Sequence, residues 1–307
     1  MTDHRIAAVV VVYRPDRELL LRLLRAIAGD VAGIFLFLNS APAPALIEDC
    51  RAAAHPTPLQ VLGSGANAGL GRAYNEAANA ARAADCDLLM LFDQDSTPAG
   101  GMAGRLAAAL DEARRRFGPV AVVGPRPVPP EPGPDYKFPF VTPRSNPRAD
   151  PAQSELREIA FLISSGSVID LDAFVEIGPF REDFFIDGID IEWCFRARAH
   201  GFRCVMELSE AMPHRFGRGL APVPLLNIRL IRQPPERVFT YARNQTVMMR
   251  LPHVPFWWKA RTGGSLALRF VVFGLHGRQA LALIRGVFSG LRGHSGFRLQ
   301  DGSQPRQ

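Results

Sequence analysis

Residues 87–95 read DLLMLFDQD. The apolar centre of this stretch is short and continuous, the pattern of a strand buried on both faces. It runs straight into Asp93-Gln94-Asp95. Two carboxylates two apart on a turn leaving a strand can approach one Mg²⁺ or Mn²⁺, and such a hard ion can bridge a diphosphate. The same triplet also suits a solvated turn or a helix cap, so its meaning depends on its surroundings.

Upstream, residues 6–12 (IAAVVVV) and 33–38 (GIFLFL) repeat the buried-strand pattern, and 59–62 (LQVL) form a shorter third strand. Between them, residues 16–28, 43–54 and 69–84 read as helices; Asp16 serves as N-cap and Gly29 as stop for the first. Downstream, 99–117 read as a helix and 119–123 (PVAVV) as a fifth strand. This β-α-β-α order predicts an α/β fold, a mostly parallel sheet covered by helices on both faces. Ligands of such sheets sit beyond the carboxyl ends of the strands. That gathers Tyr13, Asn39, Asn67, Asp93 and Asp95 at one edge.

Residues 125–151 hold ten prolines and predict an irregular surface loop. Residues 160–170 return to strand character, 172–177 read as a short helix, 189–200 as an amphipathic helix ending at Gly201, and 202–207 as a strand. After about residue 235 the pattern becomes helical, aromatic and basic.

Three further segments carry chemistry. Residues 67–75 (NAGLGRAYN) follow a strand and open a helix. Glycines there permit close backbone approach, and a helix N-terminus favours an anion; an ordinary glycine-containing connection reads the same way. Asp187, Asp190 and Glu192 crowd the start of a helix, where carboxylates complement the dipole and one can act as a general base. His214, in MPHRFG, is a structural residue, or a neutral-imidazole ligand if the chain returns to the metal.

The 307 residues, 47% hydrophobic and 21% charged, exclude a disordered chain and fit one or two domains. Apolar runs stay below the roughly 18 residues of a spanning helix. The N-terminal run reads as a first strand rather than a signal peptide. Four cysteines without CxxC spacing predict neither zinc nor disulfides, and hence a reducing, cytoplasmic setting.

Taken in order, VVVVYRP (9–15), NAGLGRAYN (67–75), LLMLFDQDS (88–96), ISSGSVI (163–169), GPFREDFFIDGIDIEWCFRARAHG (178–201), HRFG (214–217) and YARN (241–244) resemble the family 2 glycosyltransferases of the GT-A fold. The closer resemblance is to bacterial rhamnosyltransferases of surface polysaccharides. It covers about residues 6–250 and implies a glycosyltransferase domain over 1–250 followed by a helical region over 251–307. It implies inverting transfer from a nucleotide-diphosphate sugar, dTDP-L-rhamnose or a UDP-hexose or UDP-galactofuranose, with a glycan or lipid-linked glycan as acceptor. By position, Asp93, Asp95 and His214 would hold Mg²⁺ or Mn²⁺. Tyr13, Pro15, Asn39, Asn67, Gly69 and Gln94 would line the donor site beside the two aspartates. Asp190 would be the general base, with Asp187 the alternative base or acceptor contact. Ser165, Gly166 and Trp193 would border the acceptor and sugar. The chain departs from the family at Leu38, where many members carry an Asp, and at Ile189, where a Glu is usual. A non-catalytic nucleotide-sugar-binding scaffold is the rival from another class.

The net charge of +6 is uneven: residues 257–307 hold eight Lys or Arg and one acid. Phe256-Trp257-Trp258-Lys259 and the aliphatic runs that follow predict basic amphipathic helices, lying on the inner face of a plasma membrane or packed as a hairpin. The aliphatic runs and the lack of a nucleic-acid motif argue against a nucleic-acid partner.

Overall fold

The computed structural model describes residues 4–130, 155–214, 220–223, 228–231, 234–273 and 277–293. The chain divides into two compact units, one of residues 1–185 with 189–215 and one of 186–188 with 216–307. The second unit takes in the helix that ends at residue 250.

The first unit opens with β1 (Ile6–Val12), α1 (Arg17–Ile27), β2 (Gly33–Leu38), α2 (Pro44–Ala54), β3 (Leu59–Leu62), α3 (Leu70–Ala83), β4 (Leu88–Asp93) and α4 (Met102–Phe117). It continues with β5 (Val120–Val128), β6 (Leu156–Ile159), β7 (Val168–Asp170), α5 (Leu171–Ile177), α6 (Ile189–Ala199) and β8 (Arg203–Pro213). Asp16 caps α1 by accepting from the Leu19 amide at 3.1 Å, as the sequence indicates. The eight strands form one sheet in the order β3-β2-β1-β4-β7-β5-β8-β6. β1, β2, β3 and β4 pair in parallel, as do β5 and β8, while β6 and β7 run against their neighbours.

Every residue of β1 is buried, because both sheet faces are covered. Ile6, Ala8, Val10 and Val12 join one core with residues of α1, α2 and α4. Ala7, Val9 and Val11 face the other way, where the Ala-rich face of α3 packs. The chain moves from β1 to β2 and β3 on one side, then returns to place β4 on the other. This reversal opens a crevice at the carboxyl ends of β1 and β4, the ligand position of open α/β sheets.

Three expectations are corrected. β5 runs on through Pro125 and Pro127 to Val128, paired with β8. The two prolines stand two apart, so their missing N–H groups fall on one side of the strand, and pairing with β7 on β5 has ended at Val123. The rest of the proline-rich stretch, 131–154, lies outside the described residues. Residues 160–170 are not one strand: Ser167 donates back to the Ser164 carbonyl at 2.9 Å, and Gly166 takes φ +82° between them. A residue with a side chain resists that conformation, so the strand breaks into a turn. Finally, α6 is buried around its circumference rather than amphipathic, since Glu192, 1% exposed, is neutralised by two 3.1 Å hydrogen bonds from Arg196.

The second unit contains the two-stranded ribbon β9 (Leu220–Val223) and β10 (Ile228–Ile231), and the helices α7 (Pro235–Arg250), α8 (Phe256–Phe273) and α9 (Gly277–Arg292). α7 and α9 cross closely at Gly286 and Gly290. A Cβ at Gly286 would stand 2.5 Å from the Phe239 carbonyl oxygen, and one at Gly290 2.7 Å from that of Arg243. This packing draws α7 into the second unit.

Candidate active site

The turn after β4 is closed by the Ser96 amide donating to the Asp93 carbonyl at 3.0 Å. It leaves Asp93 half-buried and Asp95 exposed. Gln94 points back across the crevice: its Oε1 accepts from the Tyr13 amide at 2.7 Å and its Nε2 donates to the Tyr13 carbonyl at 3.1 Å. Both ends of the Gln94 amide are thus spent on holding β1 to β4, and the residue positions the crevice wall. Tyr13, 39% exposed, offers an aromatic face at the β1 end, with the Arg14 guanidinium 5.3 Å from the ring centroid. Pro15 follows, half-buried.

Asn39 and Asn67 shape the next loop. The buried Asn39 accepts from the Ala68 amide at 2.9 Å and donates to the Gly69 carbonyl at 3.4 Å. Asn67 accepts from the Gly69 amide at 3.3 Å. The glycines of this segment do allow close backbone approach, but what approaches is the chain itself. A Cβ on Gly69, at φ +84°, would meet the Phe185 carbonyl oxygen at 2.7 Å, and one on Gly71 would meet that of Arg181 at 2.6 Å. The Leu70 amide at the start of α3 donates to Phe185 at 2.7 Å. The first amide of that helix is therefore taken by protein.

The three acids before and within α6 have separate fates. Asp187 receives the Arg237 guanidinium at 2.9 and 3.2 Å inside the second unit. Glu192 is the buried partner of Arg196. Asp190 accepts the Ser164 amide at 3.1 Å and the Ile191 amide at 2.8 Å, with the Ser164 hydroxyl at 3.4 Å. Burial pushes the Asp190 carboxyl up to about 6, the neighbouring Asp93 charge adds to the rise, and the two amide hydrogen bonds oppose it. Tyr74 of α3 lies fully buried next to Asp93, Ser164 and Asp190, and burial holds its hydroxyl well above the usual phenol range. Its hydroxyl forms no hydrogen bond of ordinary geometry.

Ser165 is buried, its hydroxyl 2.9 Å from that of Ser96, which ties the 164–167 turn to the Asp93–Ser96 turn. Gly166 donates to the Leu91 carbonyl at 2.8 Å, continuing the same tie along β4. His214 follows β8, anchored by its amide to the Val128 carbonyl at 2.9 Å. Burial lowers its imidazole pKa, opposed by the charges of Asp95 and Asp190. A lowered pKa favours neutral imidazole, the form that ligates metals. The rest of the HRFG motif lies outside the described residues.

Trp193 does not border a sugar pocket. It is 1% exposed, its indole N–H donates to the Gly178 carbonyl at 3.0 Å, and its ring packs on Phe174 and Phe180. It is a core residue, because α6 is buried on the side that carries it. Ser164, Ser96 and Tyr74 were not singled out from the sequence as site residues. The small-polar run ISSGS is the signal that could have revealed Ser164.

Among the described residues no three His, Cys, Asp or Glu side chains converge as a ready-made metal cage. Asp93 and Asp95 would supply the one or two carboxylate oxygens with which Mg²⁺-type ions bind when phosphates and water complete the shell. The donor set fits such an ion.

The fold is that of the GT-A glycosyltransferases. No family model matches the chain. It is similar to the dTDP-rhamnosyl transferase RfbF of Shigella flexneri, 24% identical over 278 residues that cover 89% of this chain and 86% of the relative. Among solved structures, it resembles GalNAc-T7 with UDP, GalNAc and Mn²⁺ at a TM-score of 0.59 and 14% identity, covering 85% of this chain. It spans about half (54%) of that longer chain. The Pyrobaculum calidifontis mannosyltransferase PcManGT, in complex with GDP-Man and Mn²⁺, aligns at a TM-score of 0.54 and 13% identity, over 94% of this chain and 87% of that one.

Proposed function

We infer that the chain is an inverting glycosyltransferase that moves a sugar, L-rhamnose from dTDP-L-rhamnose, onto a hydroxyl of a bacterial cell-surface polysaccharide precursor. The observation that carries this reading is Asp190. It is a carboxyl held by the Ser164 and Ile191 amides, raised to about 6, beside Asp93 at the carboxyl end of β4. A base with that pKa is ionised at neutral pH yet basic enough to take a proton from an attacking alcohol. The rhamnosyl label rests on the similarity to RfbF.

Tyr13 would stack on the nucleobase, while Asn39 and Gln94 keep the crevice walls in register. Asp93 and Asp95, with His214, would hold Mg²⁺ or Mn²⁺, which when bound neutralises charge developing on the leaving diphosphate. Asp190 accepts the acceptor's hydroxyl proton as that oxygen bonds to the anomeric carbon. The sugar–phosphate bond breaks on the opposite face, so the anomeric configuration inverts.

The test is nucleotide release from a panel of dTDP-, UDP- and GDP-sugars, with Mg²⁺, with Mn²⁺ and with chelator. Metal-dependent selectivity for dTDP-rhamnose is expected. Selectivity for a UDP- or GDP-sugar would remove the rhamnosyl assignment. Binding without turnover, with every acceptor tried, would favour a scaffold.

A further inference from the structure

α9 is an amphipathic helix whose apolar stripe faces out. Leu283, Gly286 and Gly290 are buried, and the two glycines face α7. On the opposite side stand Leu281, Ile284, Phe288 and Leu291, with Phe288 57% and Leu291 52% exposed. Their spacing of three, seven and ten residues from Leu281 keeps them on one face of an α-helix. Arg278, Arg285 and Arg292 repeat every seven residues along the flank of that stripe, all exposed. On α8, Phe256 is 83% and Val271 73% exposed, with Phe270 next to it. No Asp or Glu occurs anywhere in 256–292.

An exposed apolar stripe of this kind marks an interaction surface. The charge decides which. A second copy meeting this face would oppose one arginine row with another. A nucleic acid would use the arginines and leave Leu281, Ile284, Phe288 and Leu291 without purpose. Anionic lipid satisfies both rows, with apolar side chains among acyl chains and guanidinium groups at phosphate level. No described helix is long and apolar enough to cross a membrane, so the helix would lie in the interface.

We propose that the exposed face of α9 docks this protein on an anionic bilayer surface. The proposal is independent of the sugar-transfer reading and stands or falls on the second unit alone.

The test is flotation of the full chain with phosphatidylglycerol-containing vesicles and with pure phosphatidylcholine vesicles, at low and high salt. Binding to the anionic vesicles only, weakened by salt, is expected. Replacing Arg278, Arg285 and Arg292 together by Gln should weaken it about a hundredfold, from about a fivefold loss per charge. The pair Ile284→Gln and Phe288→Gln should abolish flotation while melting temperature and donor binding stay as in the wild type. No flotation of the wild type, or flotation unchanged in both variants, would overturn the proposal. So would concentration-dependent dimerisation that the Ile284→Gln and Phe288→Gln pair removes, since the face would then join two copies.

Discussion

The Ser164 amide donates to the Asp190 carboxylate at 3.1 Å, linking the turn that follows β6 to the first turn of α6. The same turn is tied through Ser165 to Ser96, beside Asp93 and Asp95. Asp190, the proposed base, and the Asp93–Asp95 turn proposed to hold the diphosphate are thus joined by one short polar chain.

Asp190→Asn should lower turnover by about 10²- to 10⁴-fold, the usual contribution of a positioned base. Donor affinity should stay unchanged. Steady-state kinetics with direct donor titration checks both. Asp187→Asn should have a smaller effect on turnover, because its carboxylate is already engaged by Arg237.

The raised carboxyl fixes the sign of the acid limb. Asp190 must be ionised to accept a proton, so turnover rises with pH through a value near or below about 6. A divalent cation held beside Asp93 would pull the limb downward, since positive charge favours the carboxylate. The pH profile of kcat measures it.

Stability should carry the opposite sign. A carboxyl raised from 3.8 to about 6 on folding favours the folded state while protonated, and that contribution is lost as pH rises through about 6. At about 1.4 kcal/mol per pKa unit the change should be at most about 3 kcal/mol. Metal-free denaturant titrations should therefore show Asp190→Asn gaining on the wild type between pH 4 and 7, and no further above it.

Gly69→Ala should destabilise by about 3 kcal/mol, from backbone strain at positive φ together with the clash against Phe185. Trp193→Ala should cost about 4 kcal/mol as a core cavity rather than as a lost substrate contact. Denaturant midpoints check both. A Trp193→Phe variant that folds normally should keep its KM, which a sugar-contacting tryptophan would not allow.

The order of the fold was legible because β1, β2 and β4 are buried on both faces and read as unbroken apolar runs. The Asp93/Asp95 edge followed from that order alone. What stayed hidden depended on contacts distant in sequence. Nothing near Gly69 shows that Phe185 will fill the space it leaves. Nothing near Trp193 separates an aromatic lining a pocket from one packed on Phe174 and Phe180. The three acids at 187, 190 and 192 look alike until Arg237, Ser164 and Arg196 take one each.

The most direct test separates binding from chemistry at the crevice. Titration of dTDP-rhamnose and Mn²⁺ into the wild type, Asp95→Asn and Asp190→Asn should be run alongside dTDP release by the same proteins. Asp95→Asn should lose donor affinity, while Asp190→Asn should bind like the wild type and fail to release dTDP. Wild-type release rates in Asp190→Asn would contradict the assignment of Asp190 as the base.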